Sequence, residues 1–133
     1  MFLGGLSKEI QEHYLITAAA LINADGKIAE DEVNTFNSYA LEIQDIKSFE
    51  FYNEHDMQKS VDKMADLDMQ SKLKIFFELL SLAYTDSDFS MEEQAMINQI
   101  RDKFKLNKNT ADKLNDTARS IMEAFQKLSE IIN

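Results

Sequence analysis

Not one proline interrupts this chain, and two of its three glycines fall within the first five residues. Proline and glycine are the residues that most often stop a helix or turn a strand. A chain this poor in both is punctuated only by clusters of charge and folds mostly as helix. Apolar residues recurring at steps of three and four predict helices over 7–24, 30–46, 53–65, 70–85 and 91–105. The last segment, 109–132, carries Leu114, Ala118, Ile121, Phe125, Leu128 and Ile132 at alternating steps of three and four, a narrow stripe suited to packing on a bundle. No stretch alternates as a half-buried strand does.

Two of these helices differ in kind from the rest. "YLITAAALI" (14–22) and "LKIFFELLSLAY" (73–84) are apolar nearly all round, as helices surrounded by others must be, and are read as the central pair. The helices that follow them are one-sided, with Val33, Phe36, Ala40 and Ile43 on one face of the first and Ile97, Ile100 and Phe104 on the second. Shifting the first pair by 61 positions lays Leu21 on Leu82, Asp25 on Asp86, Ile28 on Phe89, Glu32 on Glu93, Phe36 on Ile97 and Ile43 on Phe104. The register predicts a duplicated helical hairpin, 10–44 and 71–105, within one all-α domain spanning 1–133. At this length a single core buries roughly two-thirds of the unfolded surface and needs no disulfide or metal to hold it.

Composition narrows the function classes. There is no cysteine, which removes thiolate metal sites, disulfides and thiol nucleophiles. The opening "MFLGGLSKEIQEHYL" lacks the basic residues and long apolar core of a signal peptide, and the apolar run 14–22 is far shorter than a membrane span. A soluble cytoplasmic protein is expected. With 24 acidic against 14 basic residues the net charge is −10, a field that repels phosphate backbones and anionic membranes and attracts cations and basic partners.

"INADGKIAEDEV" (22–33) reads at first as half a calcium loop. An EF-hand needs oxygen ligands at loop positions 1, 3, 5 and 12 around a glycine at 6. With Gly26 at the sixth position, Asn23, Asp25 and Glu32 fall at the third, fifth and twelfth, but Leu21 occupies the first. In the second copy Leu82 and Tyr84 stand at the first and third. The loop is therefore read as a shorter helix-to-helix turn, with Gly26 ending the first helix and Ser90-x-x-Glu93 forming a capping box that starts the outer helix of the second copy. Glu93 thus has a structural explanation, and so does Glu32, which can reach back to the helix start in the same way although Ala29 cannot cap through its side chain. Asp25 and Asp86 sit in a last helical turn, where the macrodipole disfavours a carboxylate by some tenths of a kcal/mol. Two readings stand: a hydrogen bond across the turn, or a divalent cation shared with Asp31 or Glu30 in one copy and with Asp88 or Glu92 in the other.

The paired stretches "ALINADGKIAEDEV" and "SLAYTDSDFSMEEQAMI" resemble the TerB family of tellurite-resistance proteins, whose fold also occurs as a domain of membrane-anchored DnaJ-like co-chaperones; the resemblance covers about 8–108. It implies a domain of about six to seven short helices in bacterial stress and phage-defence systems, without enzymatic chemistry, in which acidic residues hold divalent cations such as calcium or magnesium. Carried over, the motif positions are Asp25, Glu32, Asp86 and Glu93, flanked by Asp31 and Glu92. This chain departs from the pattern at Ser87, where a second glycine is usual, and at Ala29, where a cap residue is expected. The His-Pro-Asp motif of a J-domain is impossible in a proline-free chain.

A catalytic role has little support. His13 and His55 are the only histidines and neither follows a glutamate by three, so ferritin-like ligation is excluded. No nucleophile motif or phosphate-cradling loop accompanies the carboxylates, although a metal-dependent enzyme using the acidic turns stays as an alternative. A module that binds a protein partner is the stronger expectation, with or without metal. Three surfaces compete: the acidic turns, any apolar face left over by the last helix, and the aromatic cluster Phe49, Phe51 and Tyr52.

Overall fold

The computed structural model describes residues 2–24, 34, 37–38, 54–85 and 89–133. Among the described residues lie five α-helices and no strand: α1 (Lys8–Ile22), α2 (Glu54–Met64), α3 (Met69–Thr85), α4 (Met91–Lys103) and α5 (Lys108–Ile132). None of these helices is long and apolar enough to cross a membrane. Of the helix expected over 30–46 only Asn34, Asn37 and Ser38 are described, each helical and exposed. Phe36 and the rest of the outer arm of the first hairpin lie outside the described residues, as do Phe49, Phe51 and Tyr52.

The helix starts follow from short polar side chains that supply oxygen to backbone N–H groups with no intrahelical partner. Ser7 Oγ accepts from the Ile10 N–H at 3.3 Å ahead of α1, and Asp68 Oδ2 accepts from the Ser71 N–H at 3.2 Å ahead of α3. Asn107 Oδ1 accepts from the Asn109 N–H at 2.8 Å at the start of α5. Ahead of α4 the expected capping box is complete: Ser90 Oγ accepts from the Glu93 N–H at 3.1 Å, and Glu93 Oε1 accepts from the Ser90 N–H at 3.3 Å.

The end of α4 differs from expectation. The apolar pattern runs to 105, but the helix stops at Lys103 because Lys105 takes φ 55°, in the left-handed region. There the Lys105 N–H donates to the Asp102 carbonyl and the Leu106 N–H to the Arg101 carbonyl, both at 3.1 Å. These two bonds make a Schellman motif whose left-handed position, usually glycine, is a lysine.

The two all-round apolar segments form the centre. In α1, Tyr14, Leu15, Ala18, Ala19, Leu21 and Ile22 are buried; in α3, Ile75, Phe76, Leu79, Leu80 and Leu82 are buried. Helix α1 packs chiefly on α2 through Met57, Val61 and Met64, and α3 packs chiefly on α5 through Ala111 and Ala118. Helix α4 is one-sided as expected and contributes Ile97 and Ile100, with Phe104 just beyond its end. The first residues close one edge of this core: Leu3 is buried, and Phe2 meets Phe77 edge-on at 5.8 Å. Phe2 also donates its N–H to the buried Glu78 Oε1 at 2.9 Å.

Candidate functional site

Of the seven acidic residues singled out in the sequence, Asp25, Asp31, Glu32, Asp86 and Asp88 lie outside the described residues. Glu92 and Glu93 are described, and their surroundings differ. Glu92 is exposed on α4, while Glu93 is buried at the helix start with one carboxylate oxygen taken up by Ser90. Among the described residues no group of three or more histidines, aspartates or glutamates is placed to hold a metal ion. Of the histidines, His13 links two helices: its Nδ1 lies 3.0 Å from the hydroxyl of buried Ser60 on α2.

Beside the Ser90 turn opens a cleft of about 420 Å³ between α3, α4 and α5. Phe76, Leu80 and Ile97 give it an apolar floor, and Gln94, Asn98, Arg101, Asp112 and Arg119 give it a polar rim. The Tyr84 hydroxyl donates to Asn115 Oδ1 at 2.8 Å, and the Tyr84 ring lies 4.9 Å from Phe89. Each rim arginine has a carboxylate on its own helix, Arg101 with Asp102 at 3.1 Å and Arg119 with Asp116 at 2.9 Å. A second cleft, about 510 Å³, lies between α2 and α4 and includes Met57, Val61 and Ile100. The Lys103–Asp62 pair, 3.3 Å apart, lies at that cleft.

The largest uncovered apolar feature among the described residues is on α5. The sequence expectation was a stripe packed on the bundle, and the first half obeys it: Ala111 and Ala118 are buried, and Leu114 packs against the core. Beyond Ala118 the same stripe stands in solvent. Ile121, Phe125, Leu128 and Ile132 are 37%, 60%, 49% and 71% exposed, and Ile131 beside them is 82% exposed. A single scattered surface leucine needs no explanation, but a run of large apolar residues along one helix face does.

The cleft between α3, α4 and α5 escapes sequence reading because it depends on how three successive helices are angled against one another, which apolar spacing does not report. A leftover face on the last helix was readable, since the stripe is longer than the central helices it would have to cover. No family model, no curated protein and no solved structure matches this chain.

Proposed function

We propose that this chain is a non-enzymatic helical interaction module of the TerB-like type, acting in a bacterial stress response, with the exposed half of α5 as its association face. The observation that carries this reading is the uncovered stripe from Ile121 to Ile132. Burying such side chains is the main favourable term in protein association, and leaving them in water gains the monomer nothing. Phe125→Ser combined with Leu128→Ser tests it by denaturant unfolding. An association face is dispensable for folding, so the change should stay within about 0.5 kcal/mol, as at other surface sites. A loss of several kcal/mol, as in core truncations, would make these residues part of the fold and end the reading.

In the same proposal the module contains six to seven helices with a duplicated hairpin. Several described pairs support the duplication. Ser7 and Asp68, 61 positions apart, each accept from the backbone N–H three residues on, and α1 and α3 begin at Lys8 and Met69 with the same offset. Leu21 and Leu82 are both buried, and so are the polar pair Thr17 and Glu78. The acidic turns of the two hairpins, Asp25 with Asp31 and Glu32, and Asp86 with Asp88, Glu92 and Glu93, bind a divalent cation weakly, with water completing the shell.

A further inference from the structure

We propose that the association face of α5 pairs with the same face of a second copy of this chain, the two helices running antiparallel; this rests on reading that face as the association surface. The stripe Ala111, Leu114, Ala118, Ile121, Phe125, Leu128 and Ile132 keeps strict steps of three and four, the seam of a two-helix coiled coil. In this heptad the seam positions are a and d. The flanking e and g positions over the exposed half are Met122, Ala124, Ser129 and Ile131, none of them charged.

Charge decides the partner. Flanking e and g charges are what direct one helix to a different one and forbid self-pairing when alike. Here those positions carry none, so no charge along the seam opposes a copy of the same helix. The segment 119–133 holds two basic residues, Arg119 and Lys127, and two acidic ones, Glu123 and Glu130, so its net charge is zero. The whole −10 of the chain therefore sits on 1–118, away from the face. A neutral helix with few cations has no means of drawing so acidic a body onto an anionic membrane.

Charge also sets the direction. A parallel pair would bring the two acidic bodies together at one end, whereas an antiparallel pair places them at opposite ends of the joint helix pair. Antiparallel packing can set Ile121 against Ile132 and Phe125 against Leu128 of the other copy, a match of a to d positions that uses the exposed residues on both sides. The overlap is short, about 18 Å of helix, so the interface falls at the small end of specific contacts and the dimer is weak.

Sedimentation equilibrium of the intact chain from about 1 μM to about 1 mM covers the affinities such an interface reaches. The mass should rise from one chain to two, Phe125→Glu with Leu128→Glu should stay monomeric, and Gln126→Ala on the polar side should dimerise as the parent does. Spin labels on Asp116→Cys, in a chain with no other cysteine, should lie roughly 30 Å apart or more in the dimer. A wild type that stays monomeric throughout, a dimer that survives the double glutamate variant, a mass above two chains, or labels closer than about 30 Å, the side on which a parallel pair falls, each overturns the proposal. So does a monomer that instead binds vesicles of phosphatidylcholine and phosphatidylglycerol. A monomeric wild type with an undiminished stability of Phe125→Ser, Leu128→Ser removes self-pairing while the association face survives; a destabilised serine variant removes both.

Discussion

Lys72 Nζ donates to the carbonyl of Phe104 over 3.0 Å, so that the central helix α3 closes the end of α4. Phe104 is the C-cap residue, one of the positions whose carbonyls have no partner within the helix, and it is fully buried. The lysine stem lies along the core with only 9% of the residue exposed, delivering a charged donor where water is scarce.

Lys72→Met keeps the stem and removes the donor. The variant should lose about 1–3 kcal/mol, the cost of leaving a buried carbonyl unpaired. Urea unfolding with an unchanged slope and a lower midpoint would show it; a midpoint equal to that of the parent would mean the carbonyl finds another partner.

Lys105 is the one described residue other than glycine with positive φ, at 55°. An L side chain in this region costs roughly 1–2 kcal/mol that glycine avoids, although glycine also frees the unfolded chain. The strain outweighs the entropy, and Lys105→Gly should raise stability by about 0.5–1 kcal/mol. Lys105→Val should lower it, since branching at Cβ aggravates the clash. Thermal melts of the two variants side by side give the sign.

Helix starts were more legible than helix ends, for a physical reason. Ser7 and the Ser90–Glu93 pair act on backbone groups three residues away, so their effect is written locally. The stop at Lys103 is set by a left-handed lysine that carries no glycine or asparagine signature. The roles of Lys72 and Glu78 were equally hidden, because their backbone partners, the Phe104 carbonyl and the Phe2 N–H, lie 32 and 76 positions away in sequence. The heptad stripe of α5 was plain, but periodicity reports that a face is apolar and not what covers it. Only the burial of Ala111 and Ala118 against the exposure of Phe125 divides the helix in two.

Asp68 offers a pH test. Its carboxyl is held below the ordinary value of 3.8, first by the Ser71 hydroxyl at 2.7 Å and then by the Ser71 N–H. Because the folded value is the lower one, the contribution is complete above the unfolded value and disappears as pH falls from about 4 through the lowered one. Asp68→Asn should therefore show a smaller loss of stability between pH 7 and pH 3 than the parent. Equal losses, read from urea midpoints at the two pH values, would assign the acid sensitivity to other carboxylates.

For the acidic turns, a calcium site near the millimolar range would raise stability by roughly 1.4 kcal/mol at a tenfold excess over the dissociation constant. Differential scanning calorimetry with calcium, magnesium or sodium at matched ionic strength separates this from general screening. Asp25→Asn with Asp86→Asn should abolish the divalent shift and leave the fold intact. If the parent ignores calcium and the double variant unfolds, the aspartates brace the turns and hold no ion.

Amide hydrogen exchange along α5, followed at low and at high protein concentration, reads most directly whether the helix is half core and half association face. The segment 111–118 should be strongly protected at both concentrations, since it is held by α3. The segment 121–132 should exchange quickly in dilute solution, where the helix propagates from its packed half with no tertiary contact to hold it. Its protection should rise with concentration. Equal, concentration-independent protection of both segments would contradict this division, because it would mean that the chain already covers the face within its own fold.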